Sequence, residues 1–469
     1  MSKKKPDDQQ PSGNKPRPSH GWSGIAPAVV ATGSLLFTPV YAPAEVGRPS
    51  IAPPQDRDGK AEEHFRNGLR YGQHKRWAEA IKEFDEAIRL DPKFVAAYNA
   101  RGVSHDNLGD YGNGVVDFNI AISLDPENAE AYSNRGAAYS FIRNYDRAIK
   151  DFSKAIELDP RSPIAYNNRA DAYLCTQEYD KAIADCNRAL ELDPGYVLAY
   201  NNRGSAFGYK RDFDNAVADL SQVVALRPDV PLPYFNRGFT YARMGEYGKA
   251  IEDYDRVIQL EPDNAEAHLR RGVAYEMLYD FGKAMEDYTG AIALSADFAE
   301  AYLNRGDLHA AARDYVRAIA DYSQAVRLEP RDADAREKRG RAFALKGDCD
   351  MAVLDLTRAI ELQPRSPTAY RYRGTAYGNN KELDKAMADY EKAIALKPNY
   401  TEAIFGRGQI RELKGDLDGA IADYSLAIEH SPDFALAYKN RGDAHAAKKQ
   451  KKLAEADYEK ARSLGLKPR

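Results

Sequence analysis

Cysteine, tryptophan and methionine are scarce in this 469-residue chain, at three, two and six residues, and neither sign of charge prevails. Cys175, Cys186 and Cys349 are too few and too scattered for a disulfide framework or a thiolate metal site. Lys+Arg 67 against Asp+Glu 71 leaves a net charge of -4, so no global field draws nucleic acid and a basic patch has to be local. Hydrophobic residues at 43% and charged residues at 29% exclude a disordered polyampholyte and a multi-span membrane protein. Catalytic motifs are missing as well: there is no His-Glu-x-x-His pair, no Gly-rich loop with a following Lys-Ser or Lys-Thr, and no Gly-x-Ser-x-Gly elbow. The chain is therefore expected to be non-enzymatic, with no catalytic, cofactor-binding or metal-ligating residue.

The first sixty residues differ from the rest. Residues 1–24 set Lys3, Lys4, Lys5, Lys15 and Arg17 among Pro, Gly, Ser, Asn and Gln, which predicts a disordered basic head. Residues 25–44 open with an uncharged, mostly apolar run from Ile25 to Ala42, and Ala42 and Ala44 supply small residues before Glu45. Head, run and small residues read as a secretory signal. The alternative is an uncleaved anchor, weakened by Pro27 and Pro39. Both orientations send the chain after Glu45 across the membrane, to the periplasm or the exterior. A third reading, an inert tail on a cytoplasmic interaction hub, stays open. Residues 45–60 read as a linker.

From Ala61 to Pro468 the sequence has one period. Gly68, Gly102, Gly136, Ala170, Gly204, Gly238, Gly272, Gly306, Gly340, Gly374, Gly408 and Gly442 stand 34 residues apart, giving units 61–94, 95–128, 129–162, 163–196, 197–230, 231–264, 265–298, 299–332, 333–366, 367–400, 401–434 and 435–468. Apolar residues three or four apart, as Tyr98, Gly102 and His105, then Gly114, Phe118 and Ala121, predict two amphipathic helices per unit. Proline near each boundary, as Pro92, Pro126 and Pro160, separates the units. Asp, Glu or Asn before most second helices, as Asp110, Asn144, Glu178 and Asp416, offers caps. Alanines such as Ala148 and Ala318 face the glycine series, so the two helices cross closely. His64, His105, His268, His309 and His445 take aromatic places and are assigned to packing.

This order of aromatic, Gly, aromatic, Ala, aromatic, Ala and Pro in 34 residues resembles the tetratricopeptide repeat. The resemblance implies an all-α, right-handed superhelical solenoid whose first helices line a concave groove that binds peptides or protein surfaces. The partner is then a protein or peptide, with no nucleic acid, no cofactor and a membrane tether available through 25–42.

Two departures from the family pattern stand out. Before the glycine, where Leu is common, Arg recurs from Arg101 to Arg441, and an Asp on the second helix matches each: Arg135 with Asp151, Arg169 with Asp185, Arg203 with Asp219, Arg237 with Asp253. Guanidinium and carboxylate fit as a bidentate pair, which predicts a structural ladder that cancels its own charge. In the last unit the aromatic that opens the second helix becomes Lys451, within Lys448-Lys449-Gln450-Lys451-Lys452, read as a polar cap with an acidic partner as the alternative.

Groove candidates are the first-helix amides Asn99, Asn134, Asn167, Asn168, Asn201, Asn202, Asn236 and Asn304, expected off the packing face. Such a row, similar to the asparagine ladder in the repeat domain of O-linked N-acetylglucosamine transferase, can satisfy the backbone of an extended peptide. The alternative is that asparagine is a soluble residue on a helix flank. Arg270, Lys338, Arg341, Arg371 and Tyr372, beside Glu266, Glu300 and Glu337, give later units a mixed-charge stripe.

Overall fold

A computed structural model describes residues 59–466. The basic head, the apolar segment 25–44 and the linker up to residue 58 lie outside the described residues. The described residues hold twenty-four α-helices and no strand. They form two compact units that divide inside the helix Val197–Tyr209, after Ala206.

Within each unit, first and second helices alternate and pack as hairpins, the all-α solenoid arrangement expected from the 34-residue period. In the first unit the second pair is Val95–Asn107 with Tyr111–Leu124. In the second unit the eighth pair is Ala299–Ala311 with Tyr315–Leu328. The glycine column explains the close crossing: a Cβ on Gly306 would lie 2.7 Å from Cε1 of Tyr322, a ring that is fully buried. Burying such a ring contributes about 2–3 kcal/mol, so a glycine there admits a large side chain, an aromatic in most pairs and Leu356 opposite Gly340. Where Ala170 replaces the glycine, the matching second-helix place holds Cys186 rather than an aromatic ring, and both residues are fully buried. Ala318 and Tyr322 then pack against Ala342 of the next pair, linking one pair to its neighbour.

The turn inside each pair needs one residue with left-handed backbone. Gly109, Gly245, Gly347 and Gly415 supply it in four pairs, and Lys75, Arg143, Gln177, Arg211, Tyr279, Arg313, Lys381 and Lys449 in the other eight. The second helix then starts. Asp110, Asn144, Asp280, Asp314 and Asp416 accept the amide three residues on, as the cap expectation requires. Glu178, Asp212, Asp348 and Glu382 do not cap; their carboxylates meet Lys181, Asn215, Lys346 and Lys385. No helix among the described residues is long and apolar enough to cross a membrane.

Candidate functional site

The ladder arginines sit where a first helix crosses its own second helix. Arg135 donates from Nε and Nη2 to the two oxygens of Asp151 at 2.7 and 2.8 Å, and Arg169 does the same to Asp185 at 2.7 and 2.8 Å. Arg237 meets Asp253 at 2.9 and 2.6 Å. Asp151, Asp185, Asp219 and Asp253 are all buried. Hydrogen bonds to the carboxylates hold the guanidinium groups of Arg135, Arg169 and Arg237 above their ordinary range. Burial, with a smaller push from Glu252, moves the Asp253 carboxyl up against the pull of Arg237.

A third contact was not legible as a pair. In four of the arginines the remaining Nη1 reaches sixteen residues back, to the second helix of the preceding pair: Arg135 to Asn119 at 2.7 Å, Arg169 to Ser153 at 3.1 Å, Arg203 to Asn187 at 2.6 Å, Arg237 to Ser221 at 3.1 Å. The guanidinium carbon also lies over the tyrosine three residues earlier, 5.4 Å from the ring of Tyr132 for Arg135 and 5.5 Å from that of Tyr200 for Arg203. Each of these arginines therefore contacts both its own pair and the one before.

The asparagine row requires a correction. Asn99, Asn134, Asn167, Asn201, Asn202 and Asn236 are buried, and only Asn168 and Asn304 are half-buried, so six of the eight are not off the packing face. The reason is the approach of successive first helices. Asn134 donates to Asn99 at 3.0 Å and Asn202 to Asn167 at 3.1 Å, each bond joining a first helix to the next first helix. An amide there satisfies a neighbour's amide before it can meet a ligand.

In the second unit the same places carry charge. Arg270 donates to Glu266 at 2.6 Å and to both oxygens of Glu300 at 2.8 and 3.0 Å. Burial opposes its charge, but Glu300 and Glu266 more than restore it and hold the guanidinium above its ordinary range. Lys338 bonds Asp307 at 2.8 Å and lies 3.0 Å from Asp334. Tyr322 donates to Asp307 and Tyr288 to Glu276, each at 2.7 Å. Burial pushes the carboxyls of Glu276 and Glu337 up. Arg371 differs: its guanidinium lies 3.8 Å above the Tyr372 ring, with Tyr400 at 5.6 Å, and its buried Nε has no hydrogen-bond partner.

Cys175, Cys186 and Cys349 are not joined in disulfides. No group of His, Cys, Asp and Glu among the described residues is arranged to hold a metal ion.

These features define a solenoid of helix pairs with a polar stripe along its first helices and its arginines tied up between pairs. Family models described as Tetratricopeptide repeat match residues 95–128, 129–162, 163–196, 209–269, 299–332 and 367–400, and one described as TPR repeat matches 68–109 and 408–449. The chain belongs to the tetratricopeptide repeat family, whose arrays are protein-interaction scaffolds. No curated protein matches it by sequence. Among solved structures it is similar to the Cut9–Hcn1 hetero-tetramer of the APC/C, at 14% identity over 87% of this chain and 94% of that one, TM-score 0.46. Yeast Tom70 is 17% identical over 87% of this chain and 97% of that one, TM-score 0.35. YrrB, described as a TPR protein with an unusual peptide-binding site, is 25% identical over 39% of this chain and 95% of that one, TM-score 0.35.

Proposed function

We propose that the chain is a non-enzymatic scaffold or assembly factor that binds a peptide or protein segment in the groove lined by its first helices. The observation that carries this reading is the contrast within that stripe. The ladder arginines are consumed by aspartates and neighbouring pairs, while Asn168 and Asn304, each two residues before the glycine column, are only half-buried. Matched charges leave no field for nucleic acid, so the partner is protein. Such a groove gains affinity from a few anchors spread over a long surface.

Site-specific photo-crosslinking tests the assignment. A crosslinking residue placed at Asn168 or Asn304 is expected to capture the partner in cells, and one placed at Leu354, 64% exposed on a second helix, is not. Capture at Leu354 but at neither asparagine would overturn the groove reading.

The scaffold is proposed to act outside the cytoplasmic membrane, either released or held by residues 25–42. The support is the order of basic head, apolar run and small residues before Glu45. N-terminal sequencing from fractionated cells separates the cases: a start near Glu45 means release, and an intact terminus in membranes means a tether. An intact terminus in the cytosol makes the chain a cytoplasmic hub instead.

A further inference from the structure

At successive junctions of the array, an alanine of the incoming first helix packs on an alanine of the preceding second helix. Ala335 sits on Ala325, Ala403 on Ala393 and Ala437 on Ala427. The incoming helix is also held at its far end. Asn380 donates to Asp350 at 2.8 Å, Lys414 to Asp384 at 2.6 Å, and Lys448 bonds Asp418. Three consecutive junctions therefore use an acid on the second helix to receive an amide or a base.

The last pair, Ala435–Ala447 with Lys451–Ser463, repeats the apolar half of this receptor and inverts the charged half. Ala461 occupies the place of Ala427, and with Ala454, Tyr458 and Leu466 it floors an open groove of about 950 Å³. Among the described residues nothing fills it. The place of Asp350, Asp384 and Asp418 is taken by Lys452. Lys449, Lys451 and Arg462 line the groove without an acidic partner among the described residues, against one acid, Glu455.

We propose that this groove docks an amphipathic helix of a partner protein, one that sets a small residue on Ala461 and carries acidic residues in its last turn against Lys451 and Lys452. The apolar floor fixes the occupant's shape, since the neighbouring junctions show what this surface packs against. The basic rim fixes its charge, because like charges across an interface are excluded more strongly than opposite charges are attracted. A second copy of the chain does not fit. Its one first helix with no preceding described pair, Lys60–Gln73, has Glu63 where the others place alanine, and His74 where an acid is needed.

The test is fluorescence anisotropy at low salt with the full chain and two stapled helical peptides, because a free helix of this length is marginal in water. One peptide has the sequence of residues 435–448, and the other is the same with Lys448→Glu. The acid-ended peptide is expected to bind about tenfold more tightly. In the chain carrying Lys451→Glu and Lys452→Glu, both exposed and outside the core, the preference is expected to reverse. Leu436→Lys, at a groove position 47% exposed, is expected to weaken binding of both peptides about tenfold, with circular dichroism confirming that the helices persist. Absence of binding, equal binding of the two peptides, or indifference to the lysine reversal would each overturn the proposal. Dimerisation of the parent chain that the lysine reversal abolishes would overturn it in favour of a second copy.

Discussion

At the residue scale, the ladder carries charge into the packed interior by partnering it. Arg373 shows the form: Nε and Nη2 meet Asp389 at 2.8 Å each, Nη1 meets Thr357 at 3.1 Å, and the guanidinium lies over Tyr370. Removing either partner strands a charge that is at least four-fifths buried. Arg373→Leu and Asp389→Leu are each expected to cost about 3 kcal/mol in urea unfolding, and the double change markedly less than their sum. Additive losses would show that the pair is not the unit of stability. Asp106 is the contrasting case. Its Oδ1 is buried without a partner, in space left by Gly114, where a Cβ would collide with that oxygen. Burial, then the nearby Asp110, pushes its carboxyl up to about 8 from an ordinary 3.8. The folded state therefore holds this proton more tightly than the unfolded chain. Its contribution is full below pH ~4 and is lost as pH rises to about 8. Asp106→Asn is expected to match the parent near pH 4 and to melt higher at pH 8.5. Gly114→Ala is expected to destabilise the parent but not a chain carrying Asp106→Ala. The Arg–Asp pairing was legible because both members recur at fixed spacing. The fate of the asparagines was not, because the burial of Asn167 is decided by Asn202 on the next first helix, a distance no pattern within one unit reports.

At the element scale, the hairpin turn is the least economical part of each pair. Eight of the twelve left-handed turn positions hold residues with a side chain, which costs about 1–2 kcal/mol relative to glycine there. Lys381, at φ 63°, is a clean example. Lys381→Gly is expected to stabilise the chain by about 1 kcal/mol, read as a higher urea midpoint at unchanged slope. A loss would mean that the side chain contributes more than its backbone strain costs. Gly109, Gly245, Gly347 and Gly415 stand at one place of the period, but the other eight pairs fill it with side chains of every kind, so the turn was not legible there. Caps were legible in kind and not in detail. Asp280 and Glu382 occupy equivalent places, yet only the shorter side chain turns back to the helix amide, while Glu382 reaches Lys385 instead.

At the scale of the whole molecule, repetition made the architecture readable and hid what distinguishes one pair from another. A glycine and an alanine, each in eleven of the twelve pairs, and an aromatic in nine specify helix pairs because each residue type solves the same crossing problem. The departures set one pair apart from another: Arg371 over Tyr372, the acids around Lys338, and Lys452 where Asp418 would set the pattern. The same repetition makes stability local, since each pair contacts chiefly its neighbours. Arg313 and Lys381 occupy turns with a whole pair between them, so they share no partner. Arg313→Gly and Lys381→Gly are therefore expected to act independently, the double variant gaining the sum of the single gains to within about 0.5 kcal/mol. A double gain well short of the sum would mean that one turn feels the other through the intervening helices. Stability would then be spread across several pairs, and a ligand that orders one pair would be felt two pairs away.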